Sequence, residues 1–250
     1  MNSPDEYDVH QLAEPYRRSK ELPFRVYSEI PNHLDLLGPL AGLDVLDLAC
    51  GEGFYTRRIK QAGAGRVVGI DLAETMIKQA RSQEQAEPLG IEYVLAKAEQ
   101  PPDLGTFDLV SAAFLLCNAP DRETLDAMAH SIARFLKPGG RFVTTDARFA
   151  EHPNAEYRPY GMTGNVTAPL PDGAAYEITF FLDDGRFFTI TNYAHKQSAY
   201  AAALQSAGLT DLSWHTPSIT CEGLKLFGEA FWTEYLSRPP IMRLSARKPE

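Results

Sequence analysis

Asp47, Gly51, Gly53 and Asp71 are the residues whose types and spacing first suggest chemistry. Gly51 and Gly53 allow a tight turn and let a ligand approach bare backbone. Asp71, 18 residues beyond Gly53, is placed for a carboxylate to accept both hydroxyls of a ribose. A dinucleotide fingerprint would carry a third glycine, but Thr56 stands at that position. Glu52 also occupies the helix start where a pyrophosphate would sit, and two anions repel there. A phosphate-free, cationic cofactor removes the conflict, with Asp47 and Glu52 helping to attract its positive charges. The glycine turn therefore speaks against a nicotinamide dinucleotide.

These residues need a frame. The run 43–49 reads as a buried strand, followed by a helix that Gly63 can end. Runs 66–71, 91–95 and 107–113 read as further strands, with a helix from 73 towards 85. Asp121 caps an amphipathic helix carrying Leu125, Met128, Ile132, Phe135 and Leu136. The run 137–140, Lys-Pro-Gly-Gly, stops that helix before a fifth strand at 141–145. Strand–helix alternation implies parallel pairing with right-handed crossovers and helices on both faces. The expected fold is an α/β doubly wound, mostly parallel, seven-stranded Rossmann-like sheet with an N-terminal lid.

After 150 the rhythm breaks. Residues 150–175 hold Pro153, Pro159, Pro169, Pro171 and three glycines, which reads as loop. Runs 176–182 and 186–191 flank Asp183-Asp184-Gly185, a β-hairpin signal. A helix at about 197–207, ended by Gly208, precedes two strands, 209–214 and 241–246, that can complete the sheet. The hairpin has no place in a plain doubly wound sheet and is expected to cover the ligand crevice. The chain is thus one domain, 1–250. Its parts are a lid (1–30), a cofactor-binding core (31–150), a substrate cap (151–193) and a sheet-completing segment (194–250).

The formal charge of −9 disfavours a surface built to neutralise nucleic-acid phosphates. No stretch approaches the ~20 apolar residues of a membrane span, and residues 1–6 are acidic, unlike a secretory signal. Cys50, Cys117 and Cys221 are odd in number and scattered, so neither disulfides nor a zinc cage are expected. A cytoplasmic protein without a metal follows, its oligomeric state open.

The run 45–53, Val-Leu-Asp-Leu-Ala-Cys-Gly-Glu-Gly, resembles motif I of class I S-adenosylmethionine-dependent methyltransferases. The run 68–72 with Met76, and Leu136 to Arg141, resemble two later motifs of that family. Tyr16 to Lys20, the run Ala49 to Thr56, Phe231-Trp232 and Pro239-Pro240 are similar, more narrowly, to toxoflavin-type N-methyltransferases. The resemblance implies S-adenosylmethionine as cofactor and S-adenosylhomocysteine as product. It assigns Asp47 and the Ala49–Cys50–Gly51 backbone, with Gly53 in the same turn, to the methionine moiety, and Asp71 to the ribose. Leu72, Met76, Ala98 and Glu99 fall to the adenine, Ala113 and Phe114 to the methionyl chain, and Tyr16 and Lys20 to the cofactor carboxylate. One departure stands out: many relatives carry Gly-Asp-Ala after the third strand, whereas 96–98 is Ala-Lys-Ala, leaving Glu99 to substitute.

The expected reaction is transfer of a methyl group to a nitrogen of a small planar heteroaromatic metabolite. The alternatives are an oxygen or carbon acceptor, or a non-catalytic cofactor-binding regulatory module. In-line displacement gains about 7–11 kcal/mol from alignment, against roughly 3–5 kcal/mol from a general base. A conspicuous base is therefore not required. His195 is the candidate base, with a structural histidine the favoured alternative, and Tyr157, Tyr160 and Tyr193 are candidate substrate contacts.

Overall fold

The computed structural model describes residues 10–250, so 1–9 of the expected lid, including the acidic start, lie outside the described residues. Ten strands and eight α-helices, with shorter turns, form two sheets among these residues. Helix α1 (His10–Arg18) leads through a π-helical turn, Arg25–Glu29, into α2 (Ile30–Leu37). The core then alternates β1 (Val45–Leu48), α3 (Phe54–Gln61), β2 (Val67–Asp71), α4 (Glu74–Ala86), β3 (Glu92–Leu95), β4 (Phe107–Ala113), α5 (Arg122–Phe135) and β5 (Leu136–Ala147). As expected, Asp121 caps α5, accepting from Thr124 N at 2.8 Å.

Every residue of β1 is buried, as a central parallel strand covered on both faces requires. Beyond β5 come β6 (Met162–Gly164), β7 (Ala175–Phe181), β8 (Phe187–Tyr193), α6 (Gln197–Ser206), β9 (Thr210–Trp214), α7 (Cys221–Phe227), α8 (Glu229–Ser237) and β10 (Ile241–Arg247). The large sheet runs β3-β2-β1-β4-β5-β10-β9, with β10 antiparallel to both neighbours. This is the expected seven-stranded α/β sheet. No helix among the described residues is long and apolar enough to cross a membrane.

The small sheet, β6-β7-β8, is antiparallel throughout. It contains the expected hairpin plus a third strand, β6, whose three residues are too short to leave a periodic signal. Its buried face packs with Phe24, Trp232 and Tyr235, from the N-terminal turn and α8, into a core separate from that of the large sheet. The hairpin is thus built into the chain at both ends. Helix α1 lies against β8 and α4, and Arg18 pairs with Asp183 and Asp184 at the hairpin turn.

Candidate active site

A cavity of about 610 Å³ opens at the carboxyl ends of the parallel strands, beneath the small sheet. Ligands on open α/β sheets bind at that edge, and the volume suits a small molecule. Ala49 and Gly51 line it from the turn after β1, Asp71 and Leu72 from the end of β2, and Met76 from α4. Ala98 and Glu99 reach it after β3, Ala113 and Phe114 at the end of β4, and Tyr16 from α1. Ten sequence-derived site residues thus share one wall.

The turn after β1 is shaped for close approach. Ala49 and Phe114 both hold positive φ, 60° and 62°, at the ends of adjacent strands. Such backbone costs of order 1–3 kcal/mol and clusters at ligand sites. Gly51 has φ 56° and would meet nothing within 4 Å if it carried a Cβ. Gly53, at φ 88°, instead backs directly onto the Tyr93 ring. Only Gly51 therefore opens to the cavity.

Asp71 is held rigidly, its Oδ2 accepting from Gly51 N at 2.8 Å and its Oδ1 from Ala73 N at 2.9 Å. Burial raises its carboxyl above the ordinary range, against those backbone bonds. Burial likewise pushes the Tyr16 phenol up to about 12.

Eight residues expected at the site are not on its wall. Asp47 is 1% exposed and turned towards α3, where Thr56 Oγ1 donates to it at 2.7 Å. Cys50 is buried, its thiol pushed up by burial, and Gly53 faces Tyr93. Lys20 pairs with Glu52 and sits 4.4 Å from the Phe54 ring centroid. The His195 ring is buried, its Nε2 donating to Ala119 O at 2.8 Å. A carbonyl can only accept, so that nitrogen carries the proton. Tyr157 and Tyr160 are spent on backbone carbonyls: their hydroxyls donate to Arg238 O at 2.6 Å and Phe231 O at 2.7 Å. Tyr193 is buried off the wall because strand residues alternate faces and Asn192 takes the cavity side.

The placement of His195 carries an expected result. His195→Gln should leave turnover nearly unchanged and lower stability by about 1 kcal/mol, one hydrogen bond's worth. A turnover loss of roughly 10²-fold with the fold intact would instead support the general-base role.

Sequence reasoning missed Arg25, Asn118 and Asn192, all on the wall. Arg25 pairs with Glu29 at 3.1 Å, both side chains buried, and its Nε has no hydrogen-bond partner among the described residues. Nothing local marks these three. They lie in a turn, a 3-10 segment and a strand end brought together only by packing.

Residues 45–140 match the family model of the methyltransferase domain. That segment is thus similar to a methyltransferase domain. A demethylmenaquinone methyltransferase of Lactococcus lactis is 38% identical over 112 residues, 43% of this chain and 43% of that protein. A nocamycin O-methyltransferase of Saccharothrix syringae is 36% identical over 116 residues, 45% of this chain and 40% of that protein. Both matches span less than half the length of the curated relative. An S-adenosylmethionine-dependent methyltransferase structure from Mesorhizobium loti superposes with a TM-score of 0.65 at 20% identity, over 92% of this chain and all of that one. The matched residues include the turns after β1 to β4, whereas the small sheet lies outside them.

Buried charge beneath the turn after β1 makes a second prediction. Burial pushes the Asp47 carboxyl up to about 7, against bonds from Thr56 and Ser111. A folded value above the unfolded ~3.9 means the native state binds the extra proton between about pH 4 and 7. Stability from this group is therefore lost as pH rises through that window. His33, held down to about 3 by burial, acts in the opposite sense, but Asp47→Asn leaves it in place. Asp47→Asn should gain on the wild type by on the order of 2–4 kcal/mol between pH 4 and 8. Urea denaturation at both pH values measures this; a constant difference would contradict it.

Proposed function

We propose that this protein transfers the methyl group of S-adenosylmethionine to a nitrogen of a small planar heteroaromatic metabolite. The observation that carries the reading is one cavity whose wall joins Gly51, Asp71 and Glu99 to Phe114, Phe180 and the small sheet. Its residues fit the cofactor. Gly51 leaves space a Cβ would fill, and each Asp71 oxygen keeps a lone pair for a ribose hydroxyl. Glu52 Oε2, in the turn that carries Gly51, is buried with no hydrogen-bond partner among the described residues and would accept from an ammonium that reaches it. Tyr16 borders the same space, and Leu72, Met76 and Ala98 offer apolar contact to a purine. The bound cofactor supplies a methyl group already activated by its sulfonium, so the chain has to align an acceptor and exclude water. Phe24, Phe149, Phe180 and Ile190 do the excluding, and a flat apolar body suits them.

An oxygen acceptor is the second reading, favoured by the name of the nocamycin relative. The proposal also takes the chain as one functional unit: lid 1–30, core 31–150, cap 151–193 and completion 194–250. It acts in the cytoplasm on a small molecule, apart from nucleic acid and membranes, in keeping with its acidity. Mass spectrometry of planar nitrogen and phenolic acceptors with methyl-labelled cofactor tests this. Labelled product methylated at nitrogen is expected. Oxygen methylation would select the second reading, and no transfer to any acceptor despite cofactor binding would leave a regulatory module.

A further inference from the structure

The small sheet presents an apolar face to the cavity through Met162, Ile178, Phe180 and Ile190; Asn192 is its one polar contributor among the described residues. The Asn192 side chain is oriented by its neighbours. Asn118 Nδ2 donates to Phe114 O at 2.6 Å, and a carbonyl only accepts, so the Asn118 nitrogen must lie there. Asn118 Oδ1 then faces Asn192 and receives its Nδ2 at 3.2 Å; the same nitrogen donates to Thr191 O at 3.2 Å. Asp146 fixes the segment bearing Asn118, accepting from Leu116 N at 3.2 Å and Cys117 N at 3.1 Å. The amide cannot flip without placing oxygen against oxygen. With Nδ2 so engaged, Asn192 Oδ1 is the end of the amide left to accept, on a residue that lines the cavity.

A hydrogen bond from a ligand to an acceptor on such a wall is worth about 0.5–1.5 kcal/mol, and covering that acceptor with an apolar ligand leaves it unmet. From this we infer that Asn192 is a specificity-determining residue: its Oδ1 accepts an N–H or O–H from the substrate, with Asn118 as the positioning residue behind it. The site selects planar apolar molecules that carry such a donor and rejects analogues in which that hydrogen is replaced. This rests on the methyltransferase reading for the identity of the cavity's occupant, but it is measured without methyl transfer.

Indole and 1-methylindole are matched probes, alike in shape and differing in the donor. Titrated by NMR into the wild-type protein with S-adenosylhomocysteine present, indole should bind roughly tenfold or more tightly than 1-methylindole. Asn192→Leu should bring the two affinities close to equality without changing S-adenosylhomocysteine affinity. Asn192→Ala serves if the larger side chain disturbs the fold. Asn118→Ala, which frees the amide to turn, should lower the ratio part-way. Equal affinities in the wild type, no binding of indole, or an unchanged ratio in both Asn192 variants would each overturn the inference. Absence of methyl transfer to any acceptor would sink the proposed function instead and leave this ratio readable.

Discussion

Asp71→Ala should weaken S-adenosylhomocysteine binding by about 10²-fold or more while the protein stays folded. Two hydrogen bonds from ribose hydroxyls to a carboxylate are worth about 1.5–3 kcal/mol each, and both vanish together. The substitution also releases Gly51 N and Ala73 N, so the turn after β1 loses its brace as well. Asp71→Asn separates the two effects. It keeps one oxygen acceptor and should fall between wild type and alanine. Calorimetric titration gives the dissociation constants, and circular dichroism checks the fold. An unchanged constant in the alanine variant would move Asp71 out of the cofactor site.

Gly51→Val should abolish cofactor binding outright, because its side chain would enter a space where, chain neighbours aside, no described residue comes within 4 Å of a Cβ. The cost to folding should be modest, about 1–2 kcal/mol for a left-handed residue with a side chain. Gly53→Ala is expected to behave in the opposite way. Its methyl group runs into the Tyr93 ring at φ 88°, so overpacking of about 1–3 kcal/mol adds to the backbone strain. Its loss should appear as a lower Tm, with binding retained in the fraction that folds. If Gly51→Val binds S-adenosylhomocysteine normally, the turn after β1 does not cradle the cofactor.

The contrast between these glycines marks where sequence reading worked. Asp47-to-Gly53 and Val68-to-Asp71 are continuous stretches in which strand, turn and helix follow one another. The local pattern placed Gly51 and Asp71 at the strand ends where the wall is found. The same pattern could not tell which side of the turn each residue faces. Asp47 looks into α3 and Gly53 onto Tyr93, facts fixed by residues elsewhere in the chain. The tyrosines misled for a related reason. Tyr157 and Tyr160 sit in a proline-rich stretch that reads as loop, yet their rings fill the second core and their hydroxyls donate to carbonyls of α8 and the residue after it.

Residues that come from weakly patterned segments were invisible. Arg25 lies in a π-helical turn, and Asn118 in a three-residue 3-10 segment. Asn192 follows from strand alternation only once β8 is known to turn Ile190 towards the cavity. The pair α7 and α8 was likewise unread, and it matters. Trp232 and Tyr235 share a core with the small sheet, so excising residues 152–192 would strip that core as well as uncover the cavity.

Isothermal titration of the wild-type protein with S-adenosylhomocysteine, and separately with NAD, tests the central claim most directly. One S-adenosylhomocysteine per chain and no heat from NAD is the expected result, since Thr56 stands at the third fingerprint position and Glu52 at the helix start. NAD binding as tight as S-adenosylhomocysteine, or no binding of either, would contradict the account.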